Sequence, residues 1–275
     1  MPTHTIAIAT HKGGTGKTVT AMALSAALAR AGQTCLLVDL DPQGHSTLGL
    51  GVELAEGEPT LHACFSEPPL PLSRVIRTTH LPGLHLAPAN LRLARVAQAL
   101  YMRPKREEVL RRAFEPMATQ YAYIVLDCPP ALGVLTEAAL TAADLIVIPC
   151  QLEARAADGL VDLLEVMGIL KGEAFAHWRI LLTKVDRRKT TTNQAVLAAL
   201  APWQHKLLTT TIPQSEPLNQ AQIERTDIYS FEPKSPGALA YAALAEEIMR
   251  YVREKEPPHG PRRRHRAAAP PRPTP

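Results

Sequence analysis

With 275 residues, of which 46% are apolar and 20% charged, the chain is long and apolar enough to bury a full core, which excludes a disordered polymer. The formal net charge of +4 rests on residues 257–275, where Arg262, Arg263, Arg264, Arg266 and Arg272 stand without an acid; the rest is close to neutral, which excludes a uniformly basic, nucleic-acid-coating domain. No run approaches the ~18 apolar residues of a membrane span, and the start MPTHTIAIATHKGG lacks a signal peptide's pattern, so a cytoplasmic protein without a membrane partner is expected. Cys35, Cys64, Cys128 and Cys150 have no metal-ligand or CxxC spacing and read as reduced thiols, mostly inside apolar runs.

In chain order, apolar runs of strand length at 5–10, 35–39, 84–89, 123–127, 145–150, 179–184 and 206–212 alternate with helical patterns. The helices fall at 17–31, 91–101, 105–119, 134–142, 154–170, 190–201 and 236–255, with Gly32 placed to stop the first. Near-continuous Val, Ile and Leu strands are buried on both faces, and their alternation with helices predicts an α/β fold: a mostly parallel twisted sheet, right-handed crossovers and flanking helices. Residues 51–82, rich in Pro and Gly, read as a long surface excursion with one short helix at 60–65. Residues 1–256 are expected to form one domain. Residues 257–275 hold seven prolines and no large aliphatic, so a disordered Arg/Pro-rich tail is expected there.

Chemistry concentrates in three boxes. The first, TIAIAT-HKGGTGKT-VTAMALS, is strand, glycine-rich turn and helix start. Gly13, Gly14, Thr15 and Gly16 would let backbone N–H groups close around phosphate oxygens, Lys17 would reach the β- and γ-phosphates, and the Thr18 hydroxyl would ligate Mg2+. The second, CLLVDLDPQGHST, puts Asp39 and Asp41 at the end of a buried strand. The third, YIVLDCPPALG, ends a strand on Asp127 and continues into the rigid Pro129-Pro130 turn.

The loop departs from the usual phosphate-loop spacing: its first glycine is replaced by His11, and a second lysine, Lys12, precedes the double glycine. This KGGxGKT form resembles the deviant Walker A loop of the ParA/Soj-type partitioning ATPases of the ParA/MinD family, and the similarity runs over about residues 3–252. The resemblance implies an ATP- and Mg2+-dependent ATPase that forms a homodimer in its ATP state. It assigns Lys12 to the partner subunit's nucleotide, Asp41 to the γ-phosphate and attacking water, and Asp127 to Mg2+ through water, so that Lys12, Lys17 and Asp41 form the catalytic set. Pro129, Pro130 and Gly133 match the family's second switch. Lys184 and Asp186 are expected beside the base pocket. A MinD-like amphipathic membrane helix is absent from the Arg/Pro tail, which favours the ParA branch.

The same resemblance implies non-specific DNA binding, nucleoid association and slow hydrolysis stimulated by a ParB-like or other small basic partner, with chromosome, plasmid or protein assembly as cargo. Many chromosomal members carry DNA-holding arginines after the Ile-Pro of the C-terminal box; here those places hold Gln214, Ser215, Glu216 and Pro217. Replacement cations stand at Arg187, Arg188, Lys189 and Arg225 and in the tail. The alternative reading is an ATP-switched scaffold or regulator of the same fold that binds a protein target without DNA.

Overall fold

The computed structural model describes residues 3–117, 119–153 and 156–255. Seven strands form one sheet: β1 (His4–Ile8), β2 (Cys35–Asp39), β3 (Arg77–Thr78), β4 (Leu84–Ala87), β5 (Tyr123–Asp127), β6 (Leu145–Gln151) and β7 (Trp178–Thr183). Their order is β3-β4-β2-β5-β1-β6-β7, parallel throughout except for β3, which pairs antiparallel with β4 at one edge. Among the described residues ten α-helices connect and cover the strands: α1 (Lys17–Arg30), α2 (His45–Gly49), α3 (Arg92–Leu100), α4 (Val109–Phe114), α5 (Val134–Ala142), α6 (Ala156–Lys171), α7 (Thr190–Ala199), α8 (Glu216–Ile223), α9 (Ile228–Phe231) and α10 (Pro236–Lys255).

Strand side chains alternate between two cores, one on each face. Ile6 and Ile8 of β1 and Val125 of β5 join Leu24 and Leu28 of α1 and Leu244 and Ile248 of α10 on one side. Ala7, Leu36, Ile124 and Leu126 join Leu135 and Leu140 of α5 and Leu163 of α6 on the other. Helix α1 is apolar on nearly every side because the sheet lies beneath it and α10 beside it. The α1–α10 contact contains one buried polar pair, Thr20 Oγ1 to the Tyr241 hydroxyl at 2.9 Å. Tyr241→Phe removes that bond without emptying the site and is expected to cost about 1 kcal/mol, read as a fall of about 2–4 °C in the calorimetric melting temperature.

The structure corrects four expectations. Residues 206–212 do not form a continuous strand: Leu208 N and Ile212 N donate to the Ile180 and Leu182 carbonyls of β7 at 2.9 and 2.8 Å, but between them Glu247 of α10 accepts the Thr209 and Thr210 N–H groups at 2.7 and 2.8 Å and takes them out of the ladder, leaving an isolated bridge at Ile180–Leu207. The excursion at 51–82 runs over the surface, as expected, but is anchored in the core rather than loose. It sends Leu61, Phe65, Leu72 and Val75 into the core, its short helix is a 3-10 turn at Leu61–Phe65, and it supplies the antiparallel β3. The helix expected at 105–119 is broken into a 3-10 turn, α4 and a second 3-10 turn at Glu115–Met117, with Pro116 inside the last. Helices α2, α8 and α9 were not foreseen. The tail expected beyond residue 256 lies outside the described residues, as do the first two residues of the helix expected at 154–170.

Candidate nucleotide-binding site

All three boxes lie at the C-terminal ends of neighbouring strands. β5 sits between β1 and β2, in a register that pairs Ile8 with Asp127 and Asp39 with Asp127. The loop after β1, the loop after β2 and the end of β5 are therefore placed together by sheet topology, the location where open α/β sheets form ligand sites.

The glycine loop turns through left-handed backbone at Gly14 (φ 75°) and Gly16 (φ 91°), which a side chain would strain, and delivers the chain into α1 at Lys17. Lys17 is buried, and its ammonium donates to the Lys12 carbonyl at 3.1 Å. Burial pulls its pKa down, while Asp127, Cys128 and Asp41 oppose that shift. Two residues at the end of β7 hold the loop from the side: Thr183 Oγ1 donates to the Thr15 carbonyl at 2.7 Å and Lys184 Nζ to the Gly14 carbonyl at 2.7 Å. Lys12 points elsewhere. Its ammonium, partly exposed, lies 3.2 Å from Glu153 Oε2, and the neighbouring His11 meets Asp162 of α6 at 2.8 Å.

The three carboxylates differ in how fully they are used. Asp39 is spent on the local turn: it accepts from Thr47 N and Oγ1 at 2.9 and 2.7 Å and from Asp41 N at 3.1 Å. Among the described residues the Asp41 carboxylate accepts only from Gln43 N, at 2.9 Å, and Asp41 lines the cleft. Asp127 is fully buried; Ser46 donates to its Oδ2 at 2.6 Å, but Oδ1 has no partner among the described residues. Burial pushes the Asp39 carboxyl up, reinforced by the Asp127 charge. Asp127 is also pushed up, first by burial, against the Ser46 hydrogen bond and the nearby Thr18 hydroxyl, which favour its charged form.

A buried carboxylate with one oxygen unpartnered, near the Thr18 hydroxyl, fits a hard divalent cation. Among the described residues no cluster of three or more His, Cys, Asp or Glu side chains forms a metal cage, so an ion here must share its ligands with phosphate and water, as Mg2+ does. The cleft over the loop measures about 610 Å³, a nucleotide's size range, and Gly14, Lys17, Thr18, Asp41 and Pro130 line it. A smaller pocket of about 120 Å³ adjoins it between Gly16, Lys184, Pro213, Leu218 and Tyr241.

Of the remaining expected residues, Lys184 borders both cavities, whereas Asp186 turns away to pair with Arg188 at 2.8 Å. Arg187, Arg188 and Lys189 form one exposed turn before α7. Arg225 is not with them: it lies after α8 and lines the 610 Å³ cleft. Sequence reading missed Ser46, Thr47 and Thr183, which hold the carboxylates and the loop in place, and Asn219 and Gln222 of α8, which line the cleft. Ser215 followed by Glu216-Pro217 is a helix-start pattern that would have located α8.

A family model described as "AAA domain" matches residues 3–180. The sporulation initiation inhibitor protein Soj of Bacillus subtilis is 37% identical over 246 residues, 88% of this chain and 97% of its own length. The chromosome partitioning protein ParA of Caulobacter vibrioides is 34% identical over 261 residues, 93% of this chain and 97% of its own. Among solved structures, cobyrinic acid a,c-diamide synthase from Mycobacterium smegmatis with bound ATP analogue and magnesium superposes with a TM-score of 0.78 at 32% identity, covering 91% of this chain and 96% of that one.

Proposed function

The chain belongs to the ParA/Soj family of P-loop ATPases, and from that premise we propose that it is an ATP-driven dimerising switch that holds DNA without base preference and positions a cargo on it. The observation that carries the nucleotide half of this reading is the convergence of Lys17, Thr18 and Asp41 on one cleft, with Asp127, one of its oxygens unpartnered among the described residues, buried beneath them. Support for ATP and Mg2+ as its ligands comes from the similar Mycobacterium smegmatis structure, solved with both an ATP analogue and magnesium.

In this mechanism the loop N–H groups and Lys17 neutralise the phosphate chain, while the small pocket beside Lys184, Pro213 and Tyr241 takes the base. Mg2+, held by the Thr18 hydroxyl and by Asp127 through water, would spread the charge of the β- and γ-phosphates. Asp41, with one oxygen uncommitted, orients the attacking water. Lys12 must leave Glu153 to reach a partner subunit's phosphates. A half-exposed ion pair of this kind resists by about 1 kcal/mol or less, so γ-phosphate on a facing subunit can outcompete it.

DNA would be held by the ATP dimer, which doubles the cations facing one duplex. Arg187, Arg188 and Lys189 share an exposed turn, and Arg188 also serves Asp186. We expect the triple substitution of these residues by alanine, made in a chain ending at Glu256, to abolish salt-sensitive binding to random duplex, with each change alone weakening it modestly. Gel shift with ATP against ADP at rising salt checks this, since log affinity falls with log salt in proportion to the phosphates contacted. If the wild-type ATP dimer fails to associate with random duplex even at low ionic strength, the DNA step is wrong and an ATP-switched protein scaffold takes its place.

A further inference from the structure

Three non-glycine residues among those described have left-handed backbone: Lys105, Lys184 and Arg225. Two of the three, Lys184 and Arg225, line the nucleotide cleft. The left-handed region favours glycine, and where another residue is held there the surroundings must enforce it.

At Arg225 the enforcement is visible. Helix α8 ends in a paired C-terminal turn, with Thr226 N donating to the Ala221 carbonyl at 2.9 Å and Arg225 N to the Gln222 carbonyl at 3.2 Å. This turn places Arg225 where such turns usually carry glycine (φ 51°). The turn after helix α2, the helix that follows the Asp41 turn, packs against the same spot so closely that a Cβ on Gly51 would lie 2.9 Å from the Arg225 carbonyl oxygen. A side chain kept at a position that disfavours it, on the wall of a phosphate-binding cleft, has a use.

The other cations of that wall are already engaged: Lys17 on the Lys12 carbonyl and Lys184 on the Gly14 carbonyl. Among the described residues the Arg225 guanidinium has neither a carboxylate nor a carbonyl partner, and Arg225 is an exposed residue that lines the cleft with Asn219 and Gln222. We propose that Arg225 is a nucleotide-holding residue acting within its own subunit: its guanidinium pairs with phosphate oxygens of the nucleotide seated on Lys17. The proposal rests on the ATP reading above and removes Arg225 from the DNA surface. Arginine suits the role because its planar fork meets two phosphate oxygens at once.

The test is calorimetric titration of ADP with Mg2+ into the full chain. ADP isolates the contact made within one subunit from the ATP-dependent dimer. Arg225→Gly is expected to weaken ADP binding by about tenfold or more and to flatten its salt dependence, while its melting temperature without nucleotide is no lower than wild type, because glycine relaxes the left-handed turn. Arg225→Asn, a second neutral residue that tolerates this backbone, is expected to lose the same affinity, and Arg225→Lys to recover part of it. Wild-type ADP affinity in both neutral variants would overturn the proposal and leave the ATP reading intact. Failure of the wild-type chain itself to bind ADP would overturn both. Loss of DNA binding with ADP affinity unchanged would return Arg225 to the DNA surface and overturn the proposal as well.

Discussion

Lys17→Ala is expected to abolish nucleotide binding, whereas Lys12→Ala binds ATP nearly as wild type and stays monomeric with it. The two lysines are five residues apart on one loop, yet their surroundings are opposite. Lys17 is buried, faces the cleft and has Asp127 and Asp41 as nearby charges, so its removal leaves the phosphates without their deepest cation and the carboxylates without a counter-charge. A loss of about 100-fold or more in affinity follows from one charged contact of this kind. Lys12 lies outside that cleft against Glu153. Calorimetry gives the affinities and light scattering the masses; a Lys12→Ala chain that dimerises with ATP like wild type removes the trans role.

Asp41→Ala is expected to bind ATP and dimerise, but to turn over at least about 100-fold more slowly under stimulating conditions, because a group that orients the attacking water acts on the transition state more than on the ground state. The mutant accumulates as an ATP-bound dimer. Asp39 offers the control. Its oxygens are consumed by Thr47 and the Asp41 N–H, so Asp39→Ala is expected to damage folding of the turn rather than hydrolysis alone. Equal turnover of Asp41→Ala and wild type, measured by phosphate release, makes Asp41 a turn-forming residue like its neighbour.

The fold class and the phosphate loop were legible because both depend on local pattern. Continuous apolar runs fix the parallel strands, and GGTGKT allows little besides a turn opening a helix. The carboxylates were legible as strand ends and the family resemblance gave Asp41 and Asp127 separate roles, but how each is held was not legible, because this depends on which hydroxyl reaches which oxygen. Ser46 meets Asp127 across 81 positions of sequence and Thr183 meets Thr15 across 168, and no short-range signal encodes either. The false strand at 206–212 has the same origin: KLLTTTI has strand composition, and only the distant Glu247 withdraws its N–H groups. Arg225 was read as a surface cation because charge alone was visible; its left-handed backbone and its place on the cleft wall appear only once α8 is folded against α2.

The central claim, that γ-phosphate on the Lys17 site joins two subunits, is tested most directly by solution mass. Light scattering on the 29.9 kDa chain with Mg2+ and a slowly hydrolysed ATP analogue is predicted to show a doubled mass, and with Mg2+ and ADP a single one. The same mass with both nucleotides, each bound to saturation by calorimetry, would contradict the account.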